Sequence, residues 1–541
     1  MYGKELFQGV CYVSGEKMKI RFLFFLFGLS ILLIGCSGRG ETAVFPTPAT
    51  PATLPTPDIL PPTLFPVAWQ DRSPFAAGLI AEARPVLDTL PQFPVYHLVF
   101  TLNDTLTAVD GQMQLYYTNL ENKTLDVLYF HLFPNLLGGK IEVTKTQENG
   151  QPVTAVLQSE QNSILKIPLK KPLQPSQSTI ISLHFSTQIP LTTGRNYGVF
   201  ANVNDILALA HFYPQIAVFD EHEGWNIAPP APAGDVVYAD TAFYLVQVTA
   251  PKEATIVTSG IETARTETAE THTLTIVAGP MRDFYLAASP RFIRHTKTLN
   301  QTTIHSYAPP ELEDGAKAAL TTAATSLNIF NTRFQTPYPY TEFDIVTTAT
   351  TALGIEYPGI IALTENIYNP NTSYIPGLPN TILLESTTVH EVAHQWFYGL
   401  VGNDQLDEPW LDESLTQYAT LLYYQDRYGT DGAQGFRSSL ENRWARTNYA
   451  NIPIGLPVSA YADNEYGAIV YGRGPLFFER LAEVIGEDTF DRFLQQYIRQ
   501  FAWQTATTDT LKQLAENNCG CDLTPLFREW VFPHESELPD S

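Results

Sequence analysis

His390, Glu391 and His394 form an H-E-x-x-H motif inside an apolar, glycine-free run from Ile382 to Tyr398. Such a run is expected to be helical, and residues four apart on a helix lie about 40° from each other around the axis. Both imidazoles therefore point one way, which is half of a metal site. A catalytic Zn²⁺ takes three protein ligands and keeps one position open. Glu413, in the segment Trp410-Leu411-Asp412-Glu413, follows His394 after eighteen residues and is the candidate third ligand. Pro409 and the apolar positions Leu415, Ala419 and Leu422 place it on a second helix. Two neutral imidazoles and one carboxylate leave the ion a net positive charge, enough to acidify a water and polarise a carbonyl. Glu391 is next to the first ligand and stands beside the ion, where it suits a general base that later serves as general acid. The chemistry expected is metal-assisted hydrolysis of an amide, with one Zn²⁺ per chain.

The elements that must hold these residues fall into two regions. Between about residues 90 and 295, period-two runs such as Leu98-Val99-Phe100, and Leu125 with Val127 and Tyr129, alternate with turn signals at Asp110-Gly111, Asn122-Lys123 and Ser259-Gly260. A mostly antiparallel β domain is expected there. After about 297 the period changes: Ala316, Leu320, Ala323, Leu327 and Phe330 recur at helical spacing, as do Phe490, Phe493, Leu494 and Tyr497. One strand-like stretch, Phe343 to Thr348, precedes Leu353-Gly354-Ile355-Glu356-Tyr357-Pro358. The fold class is thus α+β and multidomain, an amino-terminal antiparallel β domain (73–296) followed by a mainly helical catalytic domain (297–541).

Lys19 and Arg21 precede an apolar run from Phe22 to Gly35 that ends in Leu33-Ile34-Gly35-Cys36, the layout of a secretory signal. Fourteen apolar residues are short for a bilayer of about 30 Å. The L-I-G-C sequence resembles a bacterial lipobox, which implies a lipidated Cys36, an extracytoplasmic chain anchored to a bacterial membrane, and residues 1–36 as signal. A short transmembrane anchor and plain secretion are the alternatives. Met18 is a plausible true start. Residues 37–72 read as a tether, because eight prolines between Phe45 and Val67 favour extended polyproline II.

The motif and its surroundings carry a family resemblance. H-E-x-x-H, eighteen residues and then Glu413 in a W-L-x-E context resemble the aminopeptidase N family of gluzincin zinc metallopeptidases, whose catalytic domain is thermolysin-like. Val470-Tyr471-Gly472-Arg473-Gly474 is similar to the family's V-Y-x-K-G segment, and the resemblance implies that Tyr471 donates to the oxyanion of the tetrahedral intermediate. Leu353-Gly354-Ile355-Glu356-Tyr357-Pro358 resembles the G-x-M-E-N exopeptidase motif, so Gly354 and Glu356 are carried over as substrate-binding residues, with Glu356 on the free α-amine. Leu353, Ile355 and Tyr357 depart from that motif. His211-Phe212-Tyr213-Pro214-Gln215 is similar to a segment that supplies a further amine contact, assigned here to Gln215. The resemblance covers roughly residues 90 to 535. It implies a zinc-dependent aminopeptidase acting on peptide substrates, and many relatives continue into a large helical domain over the active site. The other readings are an endopeptidase or epoxide hydrolase on the same zinc site, and a non-catalytic binding protein that keeps the fold.

Composition excludes other classes. With 32 Lys+Arg against 56 Asp+Glu the formal charge is −24, which repels nucleic-acid phosphate. Hydrophobic residues at 44% and charged residues at 16% rule out a disordered or coiled-coil chain. Cys519-Gly520-Cys521 has no His or Asp pattern beside it and reads as structural, either a small disulfide or two thiols.

Overall fold

The computed structural model describes residues 63–532 apart from 195, 221–222, 232–233 and 463. Cys36, the signal and most of the tether lie outside the described residues. Among the described residues no helix is long and apolar enough to cross a membrane.

The tether reading is too long at its carboxyl end. Trp69 stacks on His97 at 4.0 Å, and Phe65 meets the same imidazole edge-on at 5.1 Å. The Arg72 guanidinium donates to the carbonyls of Trp69, Leu90, Pro91 and Phe93. Burying two aromatic rings outweighs the bias of the neighbouring prolines toward extended chain, so the folded body begins before residue 73.

An eight-stranded sheet forms the frame of the amino-terminal half. Its centre is the strand Val95–Leu102, antiparallel to Ala108–Thr118 and, unlike the rest, parallel to Ala242–Pro251. Asp110-Gly111 is not a turn but part of Ala108–Thr118. Glycine is needed at 111 because a Cβ there would lie 2.5 Å from the Phe185 ring. Ser259-Gly260 does turn, with Gly260 at φ 85°.

The carboxyl-terminal half begins at a mixed five-stranded sheet. Ile293–Leu299 pairs antiparallel with Thr302–Ala308, followed in space by Glu342–Thr348 and Ile360–Thr364 in parallel and by Gly354–Tyr357 at the far edge, antiparallel. The expected boundary at 296/297 cuts the first of these strands, and the single strand expected around 343–348 pairs with two neighbours in a sheet of five. Sheet pairing supplies what the short, weakly alternating runs around it do not signal by themselves. Helices cover the sheet. The helix Glu313–Phe334 buries Ala316, Ala319, Ala323, Leu327 and Phe330, and Glu487–Gln500 buries Phe490, Phe493, Leu494 and Tyr497, as their spacing predicts.

Arg282 ties the halves together beside the motif. Its buried guanidinium donates to the carbonyls of Tyr398, Ala239 and Gln504. Gly402 leaves the space, since a Cβ there would lie 2.0 Å from Arg282 Cζ. Losing that side chain would strand buried acceptors at about 1–3 kcal/mol each.

Candidate active site and metal centre

The motif helix spans Asn380–Ala393, and His394 caps it in helical conformation (φ −59°, ψ −18°). It is shorter than the expected run to Tyr398, because the chain turns away through Tyr398 at φ 132°. His394 N still donates to His390 O at 3.2 Å, so the last turn holds both imidazoles on one side. The second helix spans Glu413–Trp444 with a break at Gly429 (φ 70°), and Asp412 caps its start by accepting from Glu413 N at 2.5 Å.

Glu413, on the first turn of that helix, faces the imidazole pair. His390 Nε2 lies 3.2 Å from His394 Nε2 and 3.2 Å from Glu413 Oε2, and His394 Nε2 lies 3.5 Å from the same oxygen. Three donors of the types Zn²⁺ prefers thus converge on one point. The ring of His394 is fixed from behind, with Nδ1 at 3.0 Å from the Phe397 carbonyl and 3.2 Å from Thr416 Oγ1, which leaves Nε2 for the ion. Burial pushes His390 down to about 4, so its lone pair is free across the neutral range. Burial opposes ionisation of Glu413, yet its hydrogen bonds to His390 and His394 hold it below the usual carboxylate range. Burial likewise works against charge on His394, but Glu356, Glu413 and Glu391 raise it well above its ordinary value. The acids demand a positive charge here, and a divalent cation meets that demand. The residues therefore fit zinc.

Glu391 is buried one step along the helix. Its carboxylate rests on Gly354, where a Cβ would come 2.4 Å from Oε1. Glycine is thus required at 354 by the general-base candidate itself. Gly354→Ala is expected to displace that carboxylate and lower kcat by about 10²-fold while metal content holds; an unchanged kcat would remove this role for the glycine. Burial, with Glu356 and Glu413 nearby and only His394 opposing, pushes Glu391 well above the usual carboxylate range.

Tyr471 sits in a π-helical turn, Ile469–Arg473, and its hydroxyl donates to Glu413 Oε1. Such turns often mark functional positions. Burial and the Glu413 charge keep its phenol protonated, the state needed of a donor. Gly474 lets the turn approach the second helix, since a Cβ there would lie 1.9 Å from Ser414 Oγ. Arg473 is engaged elsewhere, donating to the Ile452, Glu529 and Trp530 carbonyls and stacking on Trp530 at 4.5 Å.

A cavity of about 420 Å³ opens onto these groups and is also lined by Gly354, Glu356, Tyr466 and Asp235. Glu356 is buried on the edge strand, and one amide serves three acids: Gln405 Nε2 lies 3.4 Å from Glu356 Oε1, 3.2 Å from Asp235 Oδ2 and 2.9 Å from Asp412 Oδ2. An amide NH₂ has only two protons to give. The acids keep acceptor capacity that suits a cationic group in the cavity. At another wall stand Arg443 and Arg446.

Gln215 lines neither this cavity nor the small one beside it. It is buried in a short strand whose Cα partner is His131. From its segment His211 reaches the small cavity, next to Glu356 and Gln405, while pairing with Asp283 at 3.0 Å. Pairing with the strand Leu125–His131 fixes Gln215 elsewhere, which corrects its placement at the substrate amine. Asp235, Gln405, Arg443 and Arg446 escaped the sequence reading, since loop and helix-face residues carry no spacing signal. Cys519 and Cys521 are joined in a disulfide far along the chain from these groups.

Residues 318–530 match the Peptidase family M1 domain. That match covers most of the helical half of this chain. Proteins similar to this chain include aminopeptidase M1-B of Oryza sativa subsp. japonica, 24% identical over 47% of this chain and 31% of its own length. Endoplasmic reticulum aminopeptidase 2 of Homo sapiens is 23% identical over 41% of this chain and 24% of its own. The chain thus spans about a third or less of these relatives. The M1 zinc metallopeptidase of Deinococcus radiodurans superposes with a TM-score of 0.59 at 21% identity, covering 81% of this chain and 93% of that one. A mutant of the same enzyme bound to a Tyr-Ser-Ala substrate gives 0.59 at 22% identity over 82% and 94%. At such identities the likeness is one of fold, and it spans both the β region and the helical half.

Proposed function

We propose that this chain is a zinc-dependent aminopeptidase that removes amino-terminal residues from peptides. The observation that carries the reading is the convergence of His390, His394 and Glu413 in a cavity that also holds Glu391, Tyr471 and the buried Glu356. The Tyr-Ser-Ala peptide held by the Deinococcus radiodurans relative supports a peptide as substrate.

His390, His394 and Glu413 would hold the ion. When bound, it supplies a Lewis acid that polarises the scissile carbonyl and makes water a nucleophile near neutral pH. Glu391 takes the proton from the attacking water and returns it to the leaving amine. Tyr471 donates to the oxygen that gains charge as the carbonyl becomes tetrahedral. Glu356, helped by Asp235, accepts the substrate ammonium, which sets the first residue over the reacting centre and disfavours internal bonds. A panel of aminoacyl fluorogenic reporters, assayed with chelator and after zinc restoration, tests the reading. Turnover should vanish and return; activity insensitive to chelation would refute it.

Tyr471→Phe is expected to cost about 10²- to 10³-fold in kcat with KM changed little; a loss confined to KM would assign the residue to ground-state binding. Arg443 faces Tyr471 and Glu413 electrostatically and has no ion-pair partner among the described residues. Its charge suits the free carboxylate of a short peptide. Arg443→Ala should therefore raise KM for tripeptides with a free carboxyl end more than for their carboxamides, and an equal effect on both would contradict this.

The cellular setting belongs to the proposal as well. Lys19, the apolar run and Cys36 support a lipid-anchored, extracytoplasmic enzyme on a bacterial membrane. Radiolabelled fatty acid incorporated by the parent and not by Cys36→Ser would support it, and equal labelling would oppose it.

A further inference from the structure

We propose a second divalent-metal site, formed by His305, Glu342 and Asp344 on two adjacent inner strands of the five-stranded sheet and separate from the site at His390, His394 and Glu413. Strand register brings the three together. His305 and Asp344 are Cα partners on adjacent parallel strands, and Glu342, two residues before Asp344, shares its face. Ligand atoms of all three lie within 4.8 Å of one another.

Hydrogen bonding among the described residues leaves the two carboxylates of this cluster without donors. His305 Nδ1 meets Thr296 Oγ1 at 2.8 Å, and with Nδ1–H donated there, Nε2 presents a lone pair to the acids. That is the support a metal-binding imidazole takes from its second nitrogen. His305 Nε2 and Glu342 Oε2 are 3.7 Å apart, close to the spacing of about 3.4 Å between ligands on a tetrahedral ion with bonds of about 2.1 Å. Asp344 is 3% exposed, and its Oδ1 is buried with no hydrogen-bond partner. Among the described residues no Lys or Arg nitrogen pairs with either carboxylate. Arg294 is the cation facing Asp344, and it hydrogen-bonds Tyr307 instead.

An imidazole with two carboxylates selects Zn²⁺ or Mn²⁺ over the all-oxygen preference of Ca²⁺ and Mg²⁺. The site opens to a polar groove of about 510 Å³, which gives the ion an entry path. Bound there, it would bolt Thr302–Ala308 to Glu342–Thr348, two central strands of the sheet whose far edge carries Gly354 and Glu356.

The test is metal content after chelation and reloading of the whole chain with Zn²⁺ or Mn²⁺, read by mass spectrometry of the element. The parent should hold one equivalent beyond that at His390, His394 and Glu413. Asp344→Asn and His305→Asn should each lose only that extra equivalent, with reporter hydrolysis at the parental level. Glu342→Gln, at a partly exposed position, repeats the test where the fold is least sensitive. A reloaded parent that saturates at one equivalent, or an extra equivalent that persists in these variants, overturns the proposal.

Discussion

Glu391→Gln is expected to lose roughly 10²- to 10⁴-fold in kcat on aminoacyl reporters while keeping its metal. The substitution preserves size and leaves His390, His394 and Glu413 intact, but an amide cannot take a proton from water. The carboxylate lies against Gly354 in the cavity that the three metal-site residues also line, so the replacement fits without moving the backbone. Kinetics and metal analysis on the same preparation check it. Near-parental turnover by a metal-loaded variant would remove Glu391 from the proton-transfer role, and loss of the metal would make it part of the ion's support instead.

Glu356→Ala should separate substrates by their amino ends. Removing one partner of a buried charged pair costs about 2–5 kcal/mol, or roughly 30- to 4000-fold in kcat/KM for reporters with a free amine. Substrates whose amine is acetylated never make the contact and should keep whatever slow turnover the parent gives them. The shared donor of Gln405 strengthens the expectation, since the two protons of one amide cannot satisfy Glu356, Asp235 and Asp412 together. Equal losses on free and blocked substrates would mean that Glu356 shapes the cavity rather than selecting the terminus.

Much of this centre is legible in the sequence because its chemistry is local. H-E-x-x-H places two candidate ligands and a candidate base within one helical turn, and the Glu of W-L-D-E opens the next helix. Gly354 was legible as part of a motif, but its physical reason, the contact with Glu391, needs the fold. Gln215 failed because its resemblance rests on a segment whose position is set by strand pairing with His131. Asp235, Gln405 and Arg443 come from two loops and the far end of a long helix, and only tertiary packing puts them in one cavity. The same cause shifted the element boundaries. Trp69 leaves the proline-rich segment to stack on His97, and Gly111 stays in a strand because Phe185 fills its missing side chain's place.

The most direct test is anomalous diffraction at the zinc edge from crystals of the active chain. A peak about 2.0–2.2 Å from His390 Nε2, His394 Nε2 and a Glu413 oxygen is predicted. An active preparation with no density there, or with those side chains turned apart, would contradict the account.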